Sequence, residues 1–272
     1  MEKLTCKEIQ SHCVEMLRYF DAYATSQNIT YYLSGGTLLG AVRHQGFIPW
    51  DDDVDLMLPR KDYERLIHDF DGGERYEIIS CETNDEYGTP FARIWDKRTA
   101  LKWTSSREVP IGVFIDLFPI DGFPENEIVS KLYTNYLKLC RTKVNSAIRT
   151  TFQKGERFKI IKKGLKYVWR KSANYYARRQ NAIVKKYTYE NSKYVGVTTT
   201  TVHIYRERNL KTDVFSGTLY LPFEQLQLPV PSGYDRYLQH LYGDYMKLPP
   251  VDQRWSEHNF VIYKIPKGDT ML

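Results

Sequence analysis

The stretch Trp50-Asp51-Asp52-Asp53-Val54-Asp55-Leu56-Met57-Leu58 alternates acidic and apolar residues. From Val54 onward the alternation predicts a β-strand with one apolar face. Because residues two apart on a strand point the same way, Asp51, Asp53 and Asp55 are expected on the other face. Carboxylates about 4 Å apart repel by roughly 4 kcal/mol at an effective dielectric of about 20. The cluster therefore requires a cation or protonation, and ligands that are all oxygen atoms suit Mg²⁺ or Mn²⁺.

Other interpretations of this stretch are weaker. Asp51 and Asp52 by themselves are equally compatible with a solvated acidic turn ahead of the strand. A calcium loop of the EF-hand type is not indicated, because neither the glycine nor the distal Glu of that loop follows at the required spacing. Asp53 and Asp55, interleaved with apolar residues, are the firmer candidates for metal binding.

Two further segments supply candidates around this strand. Ser34-Gly35-Gly36 ends one predicted strand and opens a predicted helix. Glycine lets backbone N–H groups approach a phosphate, and a helix N-terminus attracts negative charge. In the predicted strand 113–118, Asp116 lies between apolar neighbours, and a third metal ligand beside Asp53 and Asp55 explains it best.

The remaining pattern predicts a mixed α/β fold in three parts. Thr5 and Glu8 form a capping-box pattern, which predicts a helix that runs to about Ser26. Further predicted elements are strands at 31–33, 54–58, 76–81, 91–95, 113–118 and 219–221, and helices at 37–43, 60–70 and 233–242. The parts are a mixed α/β body at 1–125, a basic helical region at 126–200, and a C-terminal segment at 201–272 that packs back on the body and completes the site.

Charge is distributed unevenly along the chain. Between residues 141 and 186 there are fifteen Lys and Arg and one acid, so this segment carries +14 and the rest carries −8, for a net charge of +6. A cationic segment on an acidic body indicates a polyanionic partner. Lys, Arg, Trp and Tyr are mixed at 158–171 as they are in helices that lie in a membrane interface. Docking to an anionic membrane surface is the favoured interpretation, ahead of a solvated helix face and of nucleic acid.

Composition and cysteine usage limit the class of protein. Apolar content of 42% and charged content of 26% in 272 residues are ordinary for a globular protein. The four cysteines lack metal-ligand spacing and suit a reducing compartment. No secretory signal is expected, because no apolar run follows the first charges. The expected location is the cytoplasm, with peripheral contact to the inner membrane face.

Long runs of the sequence carry a resemblance to a known family. They are Gly35 to His44, Gly46 to Asp55, Phe114 to Pro119, and Tyr242 to Pro250. A Gly-Gly turn, an Asp-x-Asp strand and a distant strand Asp resemble the nucleotidyltransferase superfamily, and the longer runs resemble the LicD family. The resemblance implies a nucleotidyltransferase-like core with a mixed sheet, to which the basic helical insertion and the C-terminal segment are added.

Membership of this family would imply a reaction and its partners. The reaction is metal-dependent transfer of a phosphorylated alcohol, above all phosphocholine, from a CDP-linked donor to a sugar hydroxyl, with release of CMP. The partners would be a CDP-alcohol such as CDP-choline and a lipid-linked acceptor, either a cell-surface glycan or a teichoic acid precursor. Two other classes stay open: a nucleotidyltransferase acting on nucleic acid or a small molecule, and a non-catalytic glycan- or lipid-binding protein.

The same resemblance implies roles for single residues. Asp53 and Asp55 would hold the metal, Asp116 would complete its ligands, and Ser34, Gly35 and Gly36 would bind the donor phosphates.

Other candidates are less sharply defined. Arg43 and Arg93 could neutralise phosphate and leaving-group charge, although plain solvation explains either equally well. Asp116 or Asp51 could deprotonate the sugar hydroxyl. A choline group would favour an aromatic cage, with core packing as the alternative role of the same rings. The cage candidates are Trp50, Tyr87, Trp95 and Trp103.

Overall fold

A mixed sheet of seven strands organises the chain. The computed structural model describes residues 2–103, 109–151, 164, 167–200, 204–255 and 260–266. The strands are β1 (Glu2–Lys3), β2 (Tyr32–Leu33), β3 (Asp55–Pro59), β4 (Tyr76–Ile79), β5 (Ala92–Asp96), β6 (Thr99–Trp103), β7 (Phe114–Phe123), β8 (Tyr194–Val197), β9 (Asn209–Leu210), β10 (Thr218–Phe223), β11 (Leu226–Pro231) and β12 (Phe260–Lys264). The helices are α1 (Cys6–Ser26), α2 (Gly35–His44), α3 (Arg60–Asp69), α4 (Glu127–Ile148), α5 (Ala173–Val184), α6 (Lys211–Val214) and α7 (Tyr234–Tyr242), with a 3₁₀ turn at Val251–Gln253.

The sheet has the order β2-β3-β7-β5-β4, and β8 and β9 extend it beside β7. β3 and β7 pair in parallel, whereas the other neighbouring strands pair antiparallel. The predicted α/β class with a mixed sheet is confirmed. A second sheet, in the order β1-β12-β6, joins the two ends of the described chain, and β10 pairs with β11 in a hairpin.

β7 is the central strand, and all ten of its residues are buried. It runs five residues beyond the predicted end, through Pro119. β5 pairs with β7 as far as Leu117, and β8 pairs with the same edge from Ile120 onward. The N–H of Asp116 donates to the carbonyl of Val54 on the opposite edge. The backbone N of Pro119, three residues later, therefore points to the gap between β5 and β8. The missing N–H of proline therefore costs no ladder bond there.

α1 forms as predicted. The backbone N–H of Thr5 donates to Glu8 at 2.7 Å, and the N–H of Glu8 donates to Thr5 Oγ1 at 3.4 Å, which completes the capping box. The apolar face of α1 is buried in the main core, with residues Ile9, Cys13, Met16, Leu17, Phe20 and Ala24. This packing holds α1 against one side of the sheet.

A buried ion pair ties α3 to the far half of β7. Arg60 donates to both carboxylate oxygens of Asp121, at 2.8 and 2.7 Å, and the Thr198 hydroxyl donates to the same carboxylate at 2.7 Å. Asp121 has no exposed surface. The pair therefore aligns α3, β7 and the end of β8 around one buried charge.

α4 and α5 pack together and enclose a smaller core at the end of β7. That core contains Phe123, Tyr133, Leu137, Val184 and Ile204. Both helices lie within the predicted basic helical region at 126–200. Most of the interfacial pattern at 158–171 lies outside the described residues. Within the described ranges, no helix combines the length and the apolar content that crossing a bilayer requires.

Candidate active site

Three predicted residues stand in one row across the main sheet. Asp55 on β3 lies opposite Asp116 on β7, and Asp116 lies opposite Arg93 on β5. Directly paired residues on neighbouring strands point to the same face, so the three side chains share one side of the sheet. The Nε of Arg93 donates to Asp116 Oδ1 at 2.7 Å, and both side chains are nearly buried.

The glycine turn lies directly beside this row. Gly35 has a φ of +49°, in the left-handed region that favours glycine. A Cβ atom at Gly35 would lie 3.1 Å from Asp55 Oδ2, and one at Gly36 would lie 3.1 Å from Asp51 Oδ2. Backbone bonds fix the approach, because the N–H of Ser34 donates to Asp55 O at 3.0 Å. The lack of side chains thus allows two carboxylates to approach the first turn of α2, whose N–H groups have no partner within the helix.

The prediction that Asp51 and Asp53 share one face of a strand with Asp55 is wrong. β3 begins at Asp55, so both acids precede the strand and do not share its alternation. The pKa of Tyr242, on α7, reflects the presence of both acids nearby. Burial raises the pKa of Tyr242, and the charges of Asp55, Glu207, Asp51 and Asp53, in that order, raise it further. Asp51, Asp53 and Asp55 therefore lie near enough to Tyr242 for their charges to act on its hydroxyl.

Arg93 is held by aromatic rings as well as by Asp116. The centre of its guanidinium lies 4.4 Å from the ring centroid of Phe114, 5.2 Å from that of Trp103 and 5.6 Å from that of Phe91. Cation–π attraction and the ion pair together restrict this side chain. Trp103, a candidate for a choline cage, contacts Arg93, and Tyr87, another candidate, is buried in the main core.

Arg43 is placed away from this row. It lies at the C-terminal end of α2, eight residues from Gly35, which corresponds to about 12 Å along a helix axis. Its Nη1 donates to the carbonyl of Tyr245 at 2.9 Å, and its Nε donates to His44 at 3.0 Å. The structure thus brings Arg93, and not Arg43, next to the aspartates.

A cavity of about 220 Å³ opens beside Asp55, and its lining includes a buried acid that the sequence did not single out. Its lining residues are Ser34, Gly35, Asp55, Phe118, Val197, Thr200, Glu207, Leu241 and Tyr242. The hydroxyl of Tyr237 donates to both oxygens of Glu207, at 3.4 and 3.3 Å, and lies 3.4 Å from Ser34 Oγ. The N–H of Val197 also donates to Glu207, at 3.3 Å.

This chain of hydrogen bonds joins the C-terminal segment to the glycine turn. Burial raises the pKa of Glu207 to about 8, with its hydrogen bonds to Val197 and Tyr237 acting in the opposite direction. The carboxyl is therefore mostly protonated at neutral pH. No periodicity marks Glu207 in the sequence, because its burial depends on β8 and α7 closing over it.

The carboxylates of the site are ligands of the kind that a hard divalent cation binds. The carboxylates at the row and the glycine turn supply oxygen atoms alone, which Mg²⁺ and Mn²⁺ favour. In the part of the chain that the structure describes, no three His, Cys, Asp or Glu side chains are grouped so that they could hold a metal ion. The assignment of Asp53, Asp55 and Asp116 as ligands stays a prediction.

Acids on neighbouring strands, beside a glycine turn that opens a helix, resemble a site of the nucleotidyltransferase type. Residues 28–138 match the family described as LicD/FKTN/FKRP, nucleotidyltransferase domain. The lipopolysaccharide cholinephosphotransferase LicD of Haemophilus influenzae is 33% identical over 269 residues, which cover 95% of this chain and 97% of that protein. Human ribitol 5-phosphate transferase FKRP is 30% identical over 122 residues, 43% of this chain and 21% of that protein. The chain belongs to the LicD family.

Proposed function

We propose that the protein is a metal-dependent phosphotransferase. It would move a phosphorylated alcohol, phosphocholine in the first instance, from a CDP-linked donor to a sugar hydroxyl of a cell-surface glycan or teichoic acid precursor and release CMP. The observation that carries this proposal is the row of Asp55, Asp116 and Arg93 beside the Gly35 turn. The similarity to a cholinephosphotransferase along nearly the whole chain supports phosphocholine as the group transferred.

The row, Asp53 and the glycine turn would each have a role in this reaction. Asp53, Asp55 and Asp116 would hold a Mg²⁺ or Mn²⁺ ion, which would neutralise charge on the donor diphosphate. The backbone N–H groups of Gly35 and Gly36 would bind phosphate oxygens at the start of α2.

The remaining roles are neutralisation of the leaving group, acceptance of a proton and positioning of the glycine turn. Arg93 would bring a positive charge towards the leaving phosphate, from a position that Asp116 and the rings fix. Since Asp116 already binds Arg93, Asp51 is the preferred group to accept the proton of the sugar hydroxyl. Glu207 and Tyr237 would position Ser34, and with it the phosphate-binding turn.

The test of the reaction is product analysis by mass spectrometry. Incubation with a panel of CDP-alcohols, a sugar acceptor and Mg²⁺ or Mn²⁺ should release CMP. Release of pyrophosphate from a nucleoside triphosphate would instead favour the nucleotidyltransferase alternative, and binding of glycan or lipid without any turnover would favour the non-catalytic one.

Matched variants test the assigned acids. Asp55→Asn should lower turnover roughly a hundredfold or more, because a bound metal supplies several kcal/mol of charge stabilisation. Asp52→Asn removes one charge from the same acidic stretch at a residue with no assigned role and should keep most of the activity. Equal activity in the two variants, with both folded, would contradict the role of Asp55.

The hydroxyl of Tyr237 gives a test of positioning. Tyr237→Phe removes the hydroxyl between Glu207 and Ser34, so it should raise the KM of the donor and cost about 1 kcal/mol of stability. Tyr133→Phe is the matched control, because the buried hydroxyl of Tyr133 has no hydrogen-bond partner in the described structure. A similar KM in both variants would argue against the positioning role.

A further inference from the structure

The outward face of α4 carries a stripe of large apolar side chains. Ile128 is 70% exposed, Leu132 66% and Leu139 41%, and Tyr136 is exposed beside them. Their spacing of three and four residues places them along one side of the helix. This stripe is an apolar surface that the described fold leaves in solvent, and contiguous surfaces of this kind mark interaction sites.

The opposite face of α4 already satisfies the fold. Tyr133, Leu137, Cys140 and Val144 are buried on that side, against α5 and the sheet. α4 is therefore apolar on two sides, and only the inner one contributes to the core. Packing within the described chain does not account for the outer stripe.

Positive charge flanks the stripe. α4 contains four basic residues and a single acid, Glu127 at its start, and α5 contains two basic residues and no acid. Lys131 is exposed on α4. Arg179 on α5 is exposed, donates to the Tyr175 hydroxyl at 3.4 Å, and lies close enough to Tyr136 for that residue to raise its pKa. Lys171, just ahead of α5, lies over the exposed ring of Tyr175. The surface thus combines apolar, aromatic and cationic groups.

We propose that this face of α4 and α5 docks the protein on an anionic lipid bilayer. Apolar and aromatic side chains would enter the boundary between headgroups and acyl chains while the Lys and Arg side chains meet anionic headgroups. A second copy of the chain fits less well, because symmetric contact would oppose like charges. Nucleic acid would match the charges but would leave the apolar stripe without a partner.

α4 also connects the docking face to the active site. The guanidinium of Arg141, on the inner side of α4, lies 5.5 Å from the ring centroid of Phe91. The ring of Phe91 lies 4.5 Å from that of Phe118, which lines the cavity beside Asp55. A bilayer against the outer face would therefore be separated from the cavity by α4 and by the rings of Phe91 and Phe118, which suits an acceptor held in a membrane.

Co-sedimentation of the full chain with lipid vesicles tests the proposal independently of catalysis. Vesicles of phosphatidylcholine with phosphatidylglycerol should bind the protein at low salt, and pure phosphatidylcholine should bind it much less. Raising the salt concentration should weaken binding, because salt screens the attraction. Leu132→Ser with Leu139→Ser should weaken binding roughly tenfold or more, since burial of one leucine is already worth about a tenfold change. Lys131→Gln with Lys171→Gln should weaken binding to the anionic vesicles.

The hairpin of β10 and β11 offers a matched control. Leu219 and Tyr220 are 46% and 63% exposed there, so Leu219→Ser with Tyr220→Ser removes a comparable apolar pair elsewhere. This variant should bind vesicles like the unmodified protein, and thermal unfolding should show that both double variants stay folded.

Three results would overturn the proposal. They are failure of the unmodified protein to bind anionic vesicles at low salt, equal loss of binding in both double variants, and a dimer in light scattering that Leu132→Ser with Leu139→Ser dissolves. The last would assign the face to contact between copies of the chain.

Discussion

Replacement of the buried carboxyl of Glu207 by an amide should remove a pH-dependent loss of stability. Glu207→Gln keeps the size of the side chain and its ability to hydrogen bond Tyr237 and Val197, but it cannot ionise. The pKa of Glu207 is raised from 4.5 to about 8 by burial. In the unfolded chain the carboxyl releases its proton near pH 4.5, whereas in the folded protein it keeps the proton until about pH 8.

The sign of the effect follows from where the protons are bound. Between these two pH values the folded state binds more protons than the unfolded state, so stability falls as pH rises. The contribution of Glu207 is complete below pH 4.5 and is lost by about pH 8. At 1.36 kcal/mol for each pH unit, the interval corresponds to a loss of about 5 kcal/mol in the free energy of unfolding.

Urea unfolding measured by fluorescence at a series of pH values gives the comparison. The free energy of unfolding of Glu207→Gln minus that of the unmodified protein should grow by several kcal/mol between pH 5 and pH 8 and then level off. Glu77→Gln, which removes an exposed carboxyl from β4, controls for the loss of one negative charge. Curves for Glu207→Gln and the unmodified protein that stay parallel over this interval would refute the reasoning.

Two further predictions concern the buried ion pair of α3 and β7 and the glycine turn. Arg60→Met should cost about 3–5 kcal/mol of stability in urea unfolding, because it leaves the buried charge of Asp121 without its partner. Arg65→Met, at an exposed position on the same helix, should cost far less. Similar losses in the two variants would contradict the role of the buried pair. Gly35→Ala and Gly73→Ala both place alanine at a positive φ and should each lose about 1 kcal/mol or more. Only Gly35→Ala, which crowds the carboxylate behind it, should also impair donor turnover, and an active Gly35→Ala would contradict the phosphate-binding role of the turn.

Local pattern was sufficient for much of the fold. The capping box of Thr5 and Glu8 and the apolar spacing that follows it predicted α1 to its last residue. The acidic-apolar alternation predicted β3 to within one residue at each end. These features depend on residues a few positions apart, where the helix and strand periods operate directly. The family resemblance rested on such local runs as well, and it is confirmed.

Prediction was weakest where pairing partners are distant in sequence. β7 was predicted to stop at Phe118, one residue before Pro119. The gap between β5 and β8 that accommodates Pro119 is a property of the assembled sheet. The second sheet was missed for the same reason, since β12 pairs with β1 and β6 from the far end of the described chain. Short strands carry little periodicity of their own.

The sequence by itself determined the family of the protein, and it predicted the aspartates and the glycine turn as the groups that would do the chemistry. Only the tertiary structure decided which of them meet. The register of β7 against β3 and β5 placed Asp116 between Asp55 and Arg93, and helix geometry kept Arg43 away. The closing of β8 and α7 over Glu207 buried a carboxyl that nothing nearby in the sequence distinguishes. Burial and cross-strand contact arise from packing between distant segments, so the pattern within any one segment does not contain them.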